Sequence, residues 1–355
     1  MKNAPLLNLV LAVLLVIMVG WLLVVGRAIL LPIVAAVISV YVMVSATEAL
    51  RRLPVVGRLP LVALRFAVLA GFTAVVLAIA VVFSATVREI LVVAPLYEAN
   101  VDTLLNRLAD RFNLESHVLW EQIEAVTIGQ IDVQKLALGM LGGFTSLGAA
   151  FFLAVVYAAF LLGERGGFDR KIAAAFPGDA RTESIRRLVS RINEQIRDYI
   201  TVKTLINIVL AMVSYVILWA LGIDFALFWA MLIGILNYVP YVGSYIAVTF
   251  PVLLSMAQYG DIGRTALLTV LLVAVQVYVG NFLEPRLIGR QLNLSPFVVL
   301  VSLSIWAALW GIPGAILAVP MTSILTIVLA GFDATRPLAI LLADRIETPT
   351  GRRAG

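Results

Sequence analysis

The chain has 355 residues, of which 62% are hydrophobic and 13% charged, about half the charged share of an ordinary soluble domain. That excludes a cytosolic globular protein. The apolar excess, 25 glycines and the absence of cysteine exclude disorder, a collagen-like repeat, a disulfide scaffold and thiolate chemistry. An all-α, polytopic integral membrane protein remains. Its net charge of +5 is read by position around the spans and makes no case for nucleic acid.

A helix needs about 20 mostly apolar residues to cross the hydrocarbon core. Leu6 to Gly26 is the first such run. It is longer than the apolar stretch of a secretory signal, about 7 to 15 residues, and is therefore a retained span. Ala28 to Thr47, Leu61 to Val87, Phe144 to Gly163, Thr204 to Leu221 and Ala266 to Phe282 follow. Phe225 to Gln258 and Pro296 to Phe332 are longer and broken in the middle, the first by Asn237, Pro240, Gly243 and Pro251, the second by Gly311, Pro313, Gly314 and Pro320. Each reads as one long broken crossing or as a hairpin that leaves on the side it entered. The total is about eight transmembrane helices, two of them Pro/Gly-broken.

Basic residues set the sides. Arg51, Arg52, Arg58 and Arg65 follow the second span, and 164–203 carries nine basic residues against six acidic. Both regions are expected in the cytoplasm. Residues 88–143, with four basic and eight acidic, suit the outer face. The tail, with Arg336, Arg345, Arg352 and Arg353, falls inside, so both termini are expected to be cytoplasmic. The regions are a three-span segment (1–87), an extracytoplasmic amphipathic segment (88–143), the fourth span (144–163), a basic cytoplasmic segment (164–203), a core with broken helices (204–335) and the tail (336–355).

Outside the spans, Val101, Leu104, Leu105, Leu108 and Phe112 recur at helical spacing, a face that a second protomer or the membrane surface would cover. Ile185, Leu188, Val189, Ile192, Ile196, Tyr199 and Ile200 make a second stripe, with Arg186, Arg187, Arg191 and Arg197 elsewhere on the wheel, a pattern that anionic lipid headgroups favour. His117 stands alone among Glu115, Glu121 and Glu124 and reads as ordinary surface; no metal or cofactor set is present in the pattern.

Backbone breaks at membrane depth are tolerated only where freed polar groups are buried in protein or line water. Paired Gly/Pro interruptions therefore point to a transported solute. The first break places Asn237, Tyr238, Pro240, Tyr241, Gly243 and Ser244 together, and the second Gly311, Pro313 and Gly314, with Pro320 beyond. Between them lie Gln276, Asn281, Glu284 and Arg286. Ionisable residues at membrane depth are functional by default. Glu284 is the candidate proton or cation carrier, and Arg286 the candidate anchor for an anionic or polyhydroxy solute or the partner of a carboxylate; at an interface both would only anchor the helix end. Pro285 predicts that the helix does not continue there. The metalloprotease, P-loop, nucleophile-elbow and dinucleotide signatures are absent, so no enzyme is expected.

Tyr199 to Leu205, Leu221 to Leu227, Leu236 to Gly243, Asn281 to Gly289, Leu294 to Pro296 and Gly311 to Pro320, in this order and spacing, resemble the AI-2E family, the autoinducer-2 exporter family of bacterial membrane proteins. The N-terminal half is similar only in layout. The resemblance implies an eight-span inner-membrane homo-oligomer that exports the quorum signal autoinducer-2 or related small polar solutes, gradient-driven or facilitative; some relatives look like sodium/proton antiporters. The expectation is such an exporter, with monovalent cation/proton antiport and a non-transporting membrane scaffold as alternatives. Expected partners are the solute, a proton or sodium ion, membrane lipids and further copies of the chain.

Overall fold

The structure, a computed structural model, describes residues 4–54, 56–112, 152–164, 171, 174, 179–288 and 293–344. His117, the outer segment beyond Phe112, the start of the fourth span, Gly289, Arg290 and the tail from Arg345 lie outside the described residues. The helices are α1 (Ala4–Val25), α2 (Arg27–Arg51), α3 (Leu61–Phe112), α4 (Phe152–Glu164), α5 (Asp179–Ala220), α6 (Ala226–Leu236), α7 (Val242–Tyr259), α8 (Ile262–Tyr278), α9 (Glu284–Ile288), α10 (Pro296–Ala330) and α11 (Arg336–Leu342). The all-α expectation holds: strand pairing among the described residues is limited to one isolated bridge, Leu294 to Ala343. Six helices are long and apolar enough to cross a membrane, and Val10–Val25, Phe152–Glu164 and Ala226–Leu236 are shorter apolar helices, so full-length helices alone do not reach eight.

Two expected segment boundaries fall inside continuous helices. The third span and the outer amphipathic stretch are one helix of 52 residues, α3, about 78 Å long at 1.5 Å per residue and far longer than a bilayer core. The basic stripe and the fifth span are likewise one helix of 42 residues, α5. Hydropathy changes along each, but no cap or breaker ends the backbone ladder where the composition shifts.

The chain divides into two units, one of Met1–Arg58, Phe151–Val202 and Arg290–Gly355, the other of Leu59–Ala150 and Lys203–Gly289. In the first, the predicted stripe holds: Ile196, Tyr199 and Ile200 are buried while Arg186, Arg187 and Arg191 are exposed. Helix α2 packs its Ala36, Val40, Tyr41 and Met43 face inward. Tyr41 donates to Asn193 at 2.6 Å, and Ser45 and Thr201 share a hydrogen bond of 2.6 Å, fixing α2 on α5. Helix α10 is folded in two. Trp306 Nε1 donates to Thr322 Oγ1 at 3.0 Å, although sixteen residues of straight helix would separate them by about 24 Å. The reversal occurs at Gly311, whose φ of 67° and ψ of −144° suit glycine. Gly314 then lies so close to the outgoing arm that a Cβ would sit 2.0 Å from the Trp306 carbonyl oxygen.

The second unit holds the matching feature. Helices α6 and α7 fold back on each other, with Trp229 and Phe250 stacked at 6.1 Å on either side of the turn. The broken stretch 225–258 is thus a helical hairpin and not one long crossing. Its first arm has 11 residues, about 16 Å and half the thickness of the hydrocarbon core. Gln258 pins the open end: its Nε2 donates to the Gly222 carbonyl at 3.1 Å and its Oε1 accepts from Asp224 N at 3.0 Å. Tyr97 of α3 donates to Asp224 at 2.7 Å, and Asn100 to the Gln258 carbonyl at 3.0 Å. Asp261 caps α8 by accepting from Gly263 N at 2.8 Å.

The expected helix break at Pro285 is corrected. Helix α8 runs into a π-turn, Val279–Leu283, and on into α9. Proline lacks the N–H that an α-turn would demand, and widening the preceding turn lets the ladder continue past it.

Candidate functional site

A polar cluster sits at the closed end of the α6/α7 hairpin, entirely within the second unit. Helix α6 stops at Leu236, and Asn237 to Tyr241 make the turn. The turn is tight because Val242 N donates to the Pro240 carbonyl at 2.7 Å, two residues back, with Tyr241 at φ 60° and ψ −67°. That is a γ-turn, which is strained for a residue with a Cβ. Gly243 follows, buried, where a Cβ would lie 1.9 Å from the Leu236 carbonyl oxygen.

The turn aims Asn237 inward, 5% exposed. Its Nδ2 donates to Asn207 Oδ1 at 2.8 Å and to Glu284 Oε1 at 3.2 Å, while Ser244 Oγ donates to its Oδ1 at 3.2 Å. Glu284 is also the partner of the Lys203 ammonium, which is 4% exposed. Tyr238 and Thr204 share a hydrogen bond of 2.7 Å beside this pair. Three pieces of chain therefore converge: one face of α5 (Lys203, Thr204, Asn207), the hairpin turn (Asn237, Tyr238, Ser244) and the first residue after the π-turn (Glu284). The extra residue of a π-turn re-aims the side chains after it, and this one brings Glu284 to the pair.

Of the residues singled out from sequence, Asn237, Tyr238, Ser244 and Glu284 meet here, with Pro240, Tyr241 and Gly243 forming the turn. Tyr241 itself is exposed. Asn281 and Arg286 are exposed and stand outside the cluster. Gln276 is half-buried, its Nε2 without a hydrogen-bond partner among the described residues. Gly311, Pro313, Gly314 and Pro320 belong to the α10 hairpin of the other unit, where Gly314 and Pro320 are buried. Glu48, near the end of α2, pairs at 3.5 Å with Arg197 and has about half of its side chain exposed.

Lys203 and Asn207 escaped the sequence reading of the site. Their signal is phase: Ile196, Ile200, Lys203, Asn207, Leu210, Ser214 and Leu218 are all buried and recur at intervals of three or four. A cation and an amide in step with an apolar stripe face the interior, and a buried cation requires a counter-charge.

Membrane-spanning helices, two helical hairpins broken by Pro and Gly, and an ion pair buried beside one hairpin turn define a multi-pass membrane protein of transporter type. The chain belongs to the AI-2E family: the model for AI-2E family transporters matches residues 11–332. Among similar proteins, a putative transport protein of Borreliella burgdorferi is 33% identical over 56% of this chain and 54% of its own length. The AI-2 transport protein TqsA of Escherichia coli K12 is 32% identical over 55% of this chain and 56% of its own. A sodium-lithium/proton antiporter of Halobacillus andaensis is 28% identical over 39% of each chain. The chain thus matches about half the length of the first two relatives and less of the third.

Proposed function

We propose that the protein exports a small polar organic solute resembling autoinducer-2 across the bacterial inner membrane, with both termini cytoplasmic, working as a homo-oligomer among membrane lipids. The observation that carries this reading is the cluster at the α6/α7 turn: amides, hydroxyls and one neutralised ion pair at a backbone break. Such a set offers donors and acceptors to a polyhydroxy solute and no net charge to repel or trap it. The turn supplies a strained, short element able to change its contacts, and the name of the Escherichia coli relative supports the solute class.

A second reading, monovalent cation/proton exchange, is favoured by the carboxylate of Glu284 near the end of the apolar helix Ile262–Leu287 and by the name of the Halobacillus relative. Purified protein in liposomes separates the two. Labelled autoinducer-2 is expected to cross with the parent protein and to be retained when Pro240→Ala and Gly243→Leu are combined. Gradient-dependent proton exchange without solute flux would favour the second reading and defeat the first.

A further inference from the structure

The Lys203 and Glu284 pair bears on how transport is energised, and this rests on the exporter reading above. Glu284 lies in the apolar helix Ile262–Leu287 and Lys203 in Glu183–Ala220, both long enough to span. Among the described residues the carboxylate has one cationic partner, Lys203, and its remaining donor is the Asn237 amide from the turn. From α5 the neighbouring side chain is Thr204, which is engaged with Tyr238; on its own segment Arg286 is exposed.

We infer that the position a coupling cation would take at Glu284 is filled by the chain's own Lys203 ammonium, so that Glu284 is a fixed positioning residue for the hairpin turn and exchanges neither sodium nor protons during transport. A carboxylate beside an ammonium that is only 5% exposed is held by that charge, and a tethered ammonium stays where a free cation would leave. Adding a proton to Glu284 would strand the buried ammonium, and adding sodium would place two cations beside one carboxylate. Both are opposed by the same electrostatics that make the pair stable. Meanwhile Glu284 Oε1 accepts from Asn237, whose other bond goes to Asn207. The ion pair thereby holds the turn through an amide, and solute traffic at the turn involves neutral hydrogen bonds.

Removing the tether is the test. Lys203→Met leaves Glu284 without a counter-charge, and the carboxylate is then expected to recruit sodium or a proton. Melting of the purified parent is expected to be the same in sodium, lithium and choline chloride. Lys203→Met is expected to gain on the order of a few degrees in sodium or at acid pH. The double variant Lys203→Met/Glu284→Gln, with neither charge, is expected to melt near the parent and to ignore both. A sodium- or lithium-specific shift in the parent that Glu284→Gln abolishes would overturn the inference. So would a Lys203→Met protein indifferent to sodium and pH, or one that fails to fold under every condition while the double variant folds. In liposomes, parent solute flux is expected to be unchanged by imposed sodium or proton gradients, and gradient dependence lost in Glu284→Gln would overturn it as well. Absence of any solute flux would defeat the exporter reading alone, leaving the melting comparison to judge the pair.

Discussion

Gly243→Ala and Gly314→Ala test whether the two broken segments are close-packed hairpins. An added Cβ would lie 1.9 Å from the Leu236 carbonyl oxygen in one and 2.0 Å from the Trp306 carbonyl oxygen in the other, about 1 Å inside the 3.0 Å that real Cβ contacts respect. Both obstacles are backbone, so no side chain can swing aside and the arms themselves must part. Overpacking of this kind costs about 1–3 kcal/mol and sometimes more. Since each kcal/mol moves a melting temperature by about 2–4 °C at 150–250 residues and less in longer chains, each variant is expected to melt several degrees below the parent. Gly71, in the interior of α3 with nothing within 4 Å of its would-be Cβ, is the internal control; Gly71→Ala is expected to be neutral or to stabilise by about 0.5–1 kcal/mol. The assay is tryptophan-fluorescence melting in detergent. Gly243→Ala and Gly314→Ala melting with the parent, or Gly71→Ala falling as far as they do, would refute the close-packed hairpins.

Glu284→Gln strands the Lys203 ammonium, whose side chain is 5% exposed, and is expected to destabilise by about 3–5 kcal/mol; Lys203→Met in the same chain is expected to restore most of the loss in denaturant titrations. Thr322→Val removes the acceptor of the Trp306 indole across the α10 hairpin and is expected to cost about 1 kcal/mol, read as a lower melting temperature, whereas Thr322→Ser keeps it. Asp261→Ala removes the α8 cap at a cost of about 1 kcal/mol, and Asp261→Asn is expected to retain the parent's melting temperature.

The breaks were legible in the sequence because Pro and Gly are read directly from it, and because few polar residues interrupt the apolar runs. What they do to the path of the chain was not. Hydropathy is the same for a helix that crosses and one that returns, and the choice rests on contacts such as Trp229 with Phe250 and Trp306 with Thr322. Glu284 stood out as a carboxylate at the end of a span, but its partner did not. Lys203 sits where a basic, amphipathic stretch meets an apolar one, so by composition it falls with the cytoplasmic segment 164–203, whereas the buried stripe of the continuous helix α5 carries it inward. Pro285 misled for a related reason: a proline vetoes an α-turn, and a π-turn satisfies the same constraint without ending the helix.

If solute passes at the α6/α7 turn, Asn237→Ala is the substitution that bears on it, because this one side chain joins Asn207, Ser244 and Glu284. The measurement is the initial rate of labelled autoinducer-2 movement in liposomes containing equal amounts of folded parent or variant. A loss of at least about tenfold, equivalent to about 1.4 kcal/mol, is expected in protein whose melting profile shows it folded; a folded variant that carries the solute at the parent's rate would place the path elsewhere.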